Sequence, residues 1–225
     1  MINKIVDNYE QALVGLTDGM TVLISGFGDS GVPNALVDAV LDTNARNLFV
    51  VSNNAGAGEA GLARLFVERR IRKLLASFPR TLTANNPFEP QWREGSVELE
   101  LVPQGIISER MRCAGAGLGG FFSPVGADTD LAKGKELRMI DGRKFVFEQP
   151  LKGDFALIGA HKADRWGNTI YRFAQRNFGP VMAMAADVVV MEVSEIVELG
   201  ALDPETIVTP GVFVDRVVLK RELKQ

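Results

Sequence analysis

Imidazole and thiol are almost missing from this chain: its 225 residues include one histidine, His161, and one cysteine, Cys113. A disulfide framework, a cysteine-rich zinc site and a paired-histidine metal site are excluded on that count. A Ser-His-Asp nucleophile would have His161 alone to draw on. Basic excess is missing too. The 25 Lys and Arg against 28 Asp and Glu give a net charge of −3, which argues against a nucleic-acid partner. The amino-terminal segment carries Asp7 and Glu10 where a secretory signal needs a basic and then an apolar stretch. The longest apolar stretch, Val181 to Val193, is broken by Asp187 and Glu192 and falls short of the ~20 residues of a membrane span. These absences predict a cytoplasmic protein with no membrane segment. What is present, 46% hydrophobic and 24% charged residues, is the balance of a folded globular chain, read as a single domain over residues 1–225.

Periodicity gives the fold class. Ile5, Tyr9, Ala12, Leu13 and Leu16 fall at helical spacing and predict a first helix, stopped by Asp18-Gly19. Thr21 to Ser25 reads as a buried strand, and Pro33 fits the first turn of a helix reaching about Asp42. The alternation repeats: strand Leu48 to Ser52, loop Asn53 to Gly58, helix Leu62 to Glu68, strand Lys73 to Ser77, and a further apolar strand Val97 to Val102. Later segments include strands Phe155 to Ala160 and Asp187 to Val193, with a helix after Pro180. Continuous apolar strands alternating with helices predict an α/β protein with a largely parallel open sheet and helices on both faces. Asp141-Gly142, between Leu137 to Ile140 and Lys144 to Glu148, predicts a β-hairpin decoration, because a type I′ turn needs positive φ at both central residues.

Open parallel sheets place ligands in the loops that follow their strands. The first such loop, Ser25-Gly-Phe-Gly-Asp-Ser-Gly31, can bring backbone N–H groups close to an anion, helped by the positive end of the next helix. Its spacing is neither Walker A nor G-x-G-x-x-G, and a tight strand-to-helix turn accounts for it equally. Asn53 and Asn54 offer amides, or an Asx turn capping the next helix. Gln104, in a Pro-Gln-Gly turn just past a strand, is suited to a carbonyl or carboxylate, or to a plain surface turn. Gly117, Gly119 and Gly120 can aim N–H groups at an oxyanion, or serve as a flexible loop. The bland reading is favoured elsewhere. Arg69, Arg70, Arg72 and Lys73 read as a solvated face, Cys113 as a structural thiol, His161 as a structural residue ending its strand, and Met182 and Met184 as core filler.

Together these loops resemble a known family. Asp18 to Pro33, Val51-Ser-Asn-Asn-Ala-Gly56, Pro103-Gln-Gly105, Glu109-Arg110, Gly115-Ala-Gly117, Asp154 to Leu157, Arg172 to Pro180 and Thr209-Pro-Gly211 are similar to the A (α) subunit of the family I coenzyme A transferases. Ser77-Phe-Pro-Arg80, His161 to Asn168 and Arg176-Asn-Phe-Gly-Pro180 look most like the branch acting on 3-oxoadipate, and more distantly like the succinyl-CoA:3-oxoacid branch. Ser25 stands where the family usually has glycine, and Gly119-Gly120 where many members have Pro-Ala.

The resemblance implies transfer of coenzyme A from succinyl-CoA to a 3-oxo acid through a glutamyl-CoA thioester. The nucleophilic glutamate belongs to a Ser-Glu-Asn-Gly segment of a partner B (β) subunit, and this chain has no such segment. It further implies a heterodimer or heterotetramer, CoA thioesters as substrates with no permanently bound cofactor or metal, and roles for specific residues. Ser25, Gly26, Phe27, Gly28, Asp29, Ser30 and Gly31 would form a coenzyme contact loop, and Asn53 and Asn54 would border the pocket. Gln104 would hold the substrate's carbonyl or carboxylate, and Gly117 to Gly120 would receive the acyl group. A non-catalytic acyl-CoA-binding module, a hydrolase, and a transferase for another acid such as acetoacetate stay open as alternatives.

Overall fold

Strands β1 (Thr21–Ile24), β2 (Leu48–Val51) and β3 (Ile71–Ala76) carry apolar residues at successive positions, so neither face can turn to water. The computed structural model, which describes residues 2–58, 60–80 and 86–221, buries both. Val22, Ile24, Val50 and Leu74 face a core formed with helices α1 (Tyr9–Ala12), α2 (Asn34–Ala39), α3 (Leu62–Val67) and α4 (Phe88–Arg93). Leu23, Val51 and Leu75 face a second core under α5 (Gln104–Gly115) and α6 (Gly179–Met184). The period-two alternation of strand side chains thus divides the apolar run between two helical layers.

The eight-stranded sheet is completed by β4 (Glu98–Leu101), β8 (Gly153–Asp164), β9 (Thr169–Ile170), β10 (Ala186–Val197) and β11 (Arg216–Leu219). Its order is β11-β10-β8-β1-β2-β3-β4, with β9 paired to β8 off this path. All pairs are parallel except β8 with β9. From β1 the chain winds outward through β4, then returns to lay β8 on the other side of β1. The order therefore reverses between β1 and β8, the position where open sheets form a ligand crevice. A three-stranded antiparallel sheet of β5 (Phe121–Ser123), β6 (Leu137–Ile140) and β7 (Arg143–Glu148) stands apart, in the order β5-β7-β6. Asp141 (φ 48°) and Gly142 (φ 77°) join β6 to β7 as the predicted turn. No helix among the described residues is long and apolar enough to cross a membrane.

Several expectations change. The first helix is one turn, capped by the Asn8 side chain on the Gln11 N–H. Ile5 instead forms a parallel bridge with Val217, and Val6 N–H and Lys4 C=O bond to the Val217 backbone. Pairing with the β11 edge satisfies backbone groups that a helix would have closed locally. In place of the buried strand expected over Val97 to Val102 stands β4 (Glu98–Leu101), a half-exposed edge strand between buried Val97 and Val102. His161 does not end its strand, which runs on to Asp164. The segment Gly115 to Gly126 is not one loop: it holds the end of α5 and all of β5.

The basic run is occupied internally. Arg69 pairs with Glu94 at 2.8 Å, Arg70 donates to the carbonyls of Leu41, Thr43 and Ala45, and Lys73 sits 2.9 Å from both Glu98 and Glu100. Cys113 is buried against the Leu118 carbonyl.

Candidate functional site

Each predicted loop leaves the carboxyl end of a parallel strand, so the four ends of β1 to β4 deliver their loops to one edge of the sheet. Ser25, 1% exposed, closes the first loop on itself. Its Oγ donates to Gly31 C=O at 2.7 Å and accepts the Gly159 N–H of β8 at 3.0 Å. Phe27 and Ser30 exchange N–H···O bonds of 3.0 and 3.1 Å, which leaves Gly28-Asp29 as an exposed tip. The N–H groups of Gly26, Phe27 and Ser30 are therefore committed within the fold, and those of Gly28 and Asp29 have no acceptor among the described residues.

At the positive end of α2, one of the first-turn N–H groups is taken by the protein itself. Its Leu36 N–H donates at 2.7 Å to the carboxylate of Glu192, a buried residue of β10 that also accepts from the Tyr9 hydroxyl at 3.0 Å. Burial pushes the Glu192 carboxyl above its ordinary range, against those two hydrogen bonds, which favour its charge.

Beyond β2, Asn53 is buried and its Oδ1 accepts two donors, Ser77 Oγ and Gln104 Nε2, each at 2.7 Å. Those donors fix which way the Asn53 amide lies. Asn54 makes an Asx turn, accepting from Gly56 N–H at 2.8 Å, but caps no helix, since α3 starts at Leu62 with Gly61 as its N-cap. Beyond β3, Phe78 N–H holds the Asn53 carbonyl at 2.9 Å and its ring stands 56% exposed. Gln104 does not occupy a turn. Pro103 is the N-cap of α5 and Gln104 its first helical residue, a position where proline's missing N–H costs no intrahelical bond.

These elements enclose a cleft of about 540 Å³ lined by Phe27, Gly28, Asn53, Asn54, Ser77, Phe78 and Gln104. A smaller neighbour of about 220 Å³ includes Ser25, Gly26, Gly28, Asp29, Ser52 and Asn54 in its lining. The two meet at Gly28 and Asn54. The first, second and Gln104 elements predicted from the sequence are thus brought together.

Ser77 and Phe78 were not among the predicted site residues, although the same rule of loops after parallel strands reaches them. Gly117, Gly119 and Gly120 are not brought to either cleft. They follow the far end of α5, roughly 18 Å from Gln104 at the helical rise. Gly117 (φ 69°) forms a Schellman cap, its N–H on Ala114 C=O and the Leu118 N–H on Cys113 C=O. At Gly120 an added Cβ would lie 2.3 Å from the Phe147 ring.

Among the described residues, the larger cleft is lined by amides, one hydroxyl and two aromatic rings, with no titratable side chain. Ser77 has no base beside it in that lining and gives its proton to Asn53. Its amides can therefore orient a carbonyl or carboxylate, and among the described residues it offers no activated nucleophile.

A family model described as coenzyme A transferase matches residues 6–220. The chain is 54% identical over 218 residues to the A subunit of 3-oxoadipate CoA-transferase from Pseudomonas putida, covering 97% of this chain and 94% of that protein. It is 40% identical over 216 residues to the A subunit of succinyl-CoA:3-ketoacid coenzyme A transferase from Helicobacter pylori, covering 96% and 92%. Among solved structures, the acyl-CoA transferase YdiF of Escherichia coli, in a thioester complex with CoA, superposes with a TM-score of 0.80 at 20% identity. That match takes in all of this chain and 48% of the other, so the chain spans about half of YdiF's length, and at that identity the likeness concerns the fold.

Proposed function

Because the chain belongs to the coenzyme A transferase family, most like its A subunits, we propose that it is the half of a two-subunit enzyme that builds the pocket. A partner B subunit supplies the nucleophile. The observation that carries this reading is the neutral lining of the larger cleft, rich in amides and, among the described residues, without a carboxylate. The reaction moves coenzyme A from succinyl-CoA to a 3-oxo acid, with 3-oxoadipate the acceptor in keeping with the name of the Pseudomonas putida relative.

A glutamyl-CoA thioester forms when the partner's carboxylate displaces the thiolate from the acyl group and the thiolate then attacks the glutamyl carbon, releasing the acid. Charge passes onto a carbonyl oxygen in each displacement. Gln104 can donate to that oxygen with an amide N–H, without adding a charge that would be costly to desolvate. Its orientation is preset by the bond to Asn53. The Ser25–Gly31 loop receives the coenzyme, and Asn53 and Asn54 border the acyl group.

Co-expression with the B subunit tests the division of labour. The complex should transfer CoA with ping-pong kinetics, and hydroxylamine or borohydride should trap the intermediate on the partner. Turnover by the rigorously purified single chain, or label on a glutamate of this chain, would refute it. Binding without transfer would point to a binding module, and thioester loss without an acceptor acid to a hydrolase.

A further inference from the structure

We infer that Asn177 is a positioning residue for coenzyme binding: its carboxamide ties together the two stems of the Ser25–Gly31 loop. The inference rests on the reading of that loop as the coenzyme contact. Asn177 belongs to Arg176-Asn-Phe-Gly-Pro180 and lines neither cleft. Its Oδ1 accepts the Gly26 N–H at 3.1 Å and the Phe178 N–H at 2.6 Å. Its Nδ2 donates to Ser30 C=O at 3.2 Å and to Gln175 C=O at 2.9 Å, with Ala174 C=O at 3.4 Å. One planar group thus holds the start and the end of the loop, and anchors both to the turn Phe173–Arg176.

Two further features show how close this fit is. Gly31 (φ 75°) lies so tightly on the turn that an added Cβ would be 2.5 Å from Gln175 C=O and 2.6 Å from Asn177 Nδ2. Asn177 itself adopts φ 21° and ψ −119°, a conformation rare outside glycine. Backbone strain of this kind persists where surrounding bonds over-determine it, and it concentrates at ligand clamps. The chemistry requires an amide. Aspartate would keep the acceptor but set a second oxygen against the Ser30, Ala174 and Gln175 carbonyls, and glycine would relax the backbone but remove both bonds to the loop, those with Gly26 and Ser30.

If the loop loses its tie, the fraction of molecules holding it in the binding shape falls, and apparent affinity falls in proportion. The test uses Asn177→Gly and Asn177→Asp in the two-subunit complex, with Gly28→Val as a control that disturbs the loop directly. The expected result is a rise of roughly tenfold or more in KM for the CoA thioester. The Asp variant should be the worse of the two, and KM for the acceptor acid and the melting temperature should stay close to wild type. Amide hydrogen exchange in residues 26–31 should quicken in Asn177→Gly while the sheet stays protected.

A raised thioester KM in Gly28→Val with none in either Asn177 variant would overturn the positioning role. Equal rises for both substrates with a lowered melting temperature would overturn it as well, in favour of a structural role. No effect from Gly28→Val would remove the coenzyme reading of the loop and the inference with it.

Discussion

Gln104 is exposed, yet its amide closes a bond to the buried Asn53, and Ser77 holds the same acceptor when Gln104 is gone. Truncation at this residue therefore leaves no orphaned group in the core. Gln104→Ala should cost about 0.5 kcal/mol or less in stability and lower kcat of the two-subunit complex by roughly 10²–10³, as loss of an oxyanion donor does. Steady-state kinetics and a melting curve on one sample decide this; a rise in KM alone would mean equal contact in ground and transition states. Glu192 yields a prediction of a different kind. Its folded-state pKa is raised above 4.5 by burial, so the folded chain holds that proton more tightly than the unfolded chain. Its contribution is most favourable below 4.5, declines as pH rises through the raised value, and then levels. Glu192→Gln keeps an acceptor for Tyr9 and Leu36 but does not titrate. Its melting temperature should therefore gain on wild type as pH rises across that window, and a constant difference would show that Glu192 does not couple to folding there.

At the scale of elements, α5 separates two readings of the glycines behind it. In the Schellman cap, Gly117→Ala should cost about 1 kcal/mol through its positive φ, and leave kcat of the complex unchanged. A fall in kcat with unchanged stability would return this turn to the pocket. Local pattern made much of the fold legible: β1 to β3 from their apolar runs, and the β6–β7 hairpin from Asp141-Gly142. What it missed was decided at a distance. Ile5 to Leu16 has helical spacing, but Ile5 takes its partner, Val217, from the other end of the chain. Pro103-Gln-Gly105 reads locally as a turn, and becomes a helix start because Ile106, Ile107 and Met111 bury against the second core. The Ser25, Asn53 and Gln104 elements were legible because each follows a strand of a parallel sheet. The link between Asn177 and the first loop was not, since nothing near residue 177 says which loop it will touch.

For the whole molecule, the placement of β1 between β2 and β8 has a consequence for biosynthesis. Residues 155–157, which pair with β1, are made on the order of ten seconds after it at typical ribosome rates. Until then the nascent half-sheet presents one unpaired, apolar edge along Val22 to Ile24, the kind of edge on which chains aggregate. A fragment ending at Pro150 should therefore bind hydrophobic dyes and self-associate, whereas one extended through Leu219, which supplies β8 together with its own neighbours β10 and β11, should do so less. Pulse-labelled chains released at those two lengths would compare them directly, and equal solubility would mean that β1 is shielded before its second neighbour exists. Non-local closure of this kind also slows refolding, so for this chain the vulnerable moment falls during synthesis, before any partner can be met.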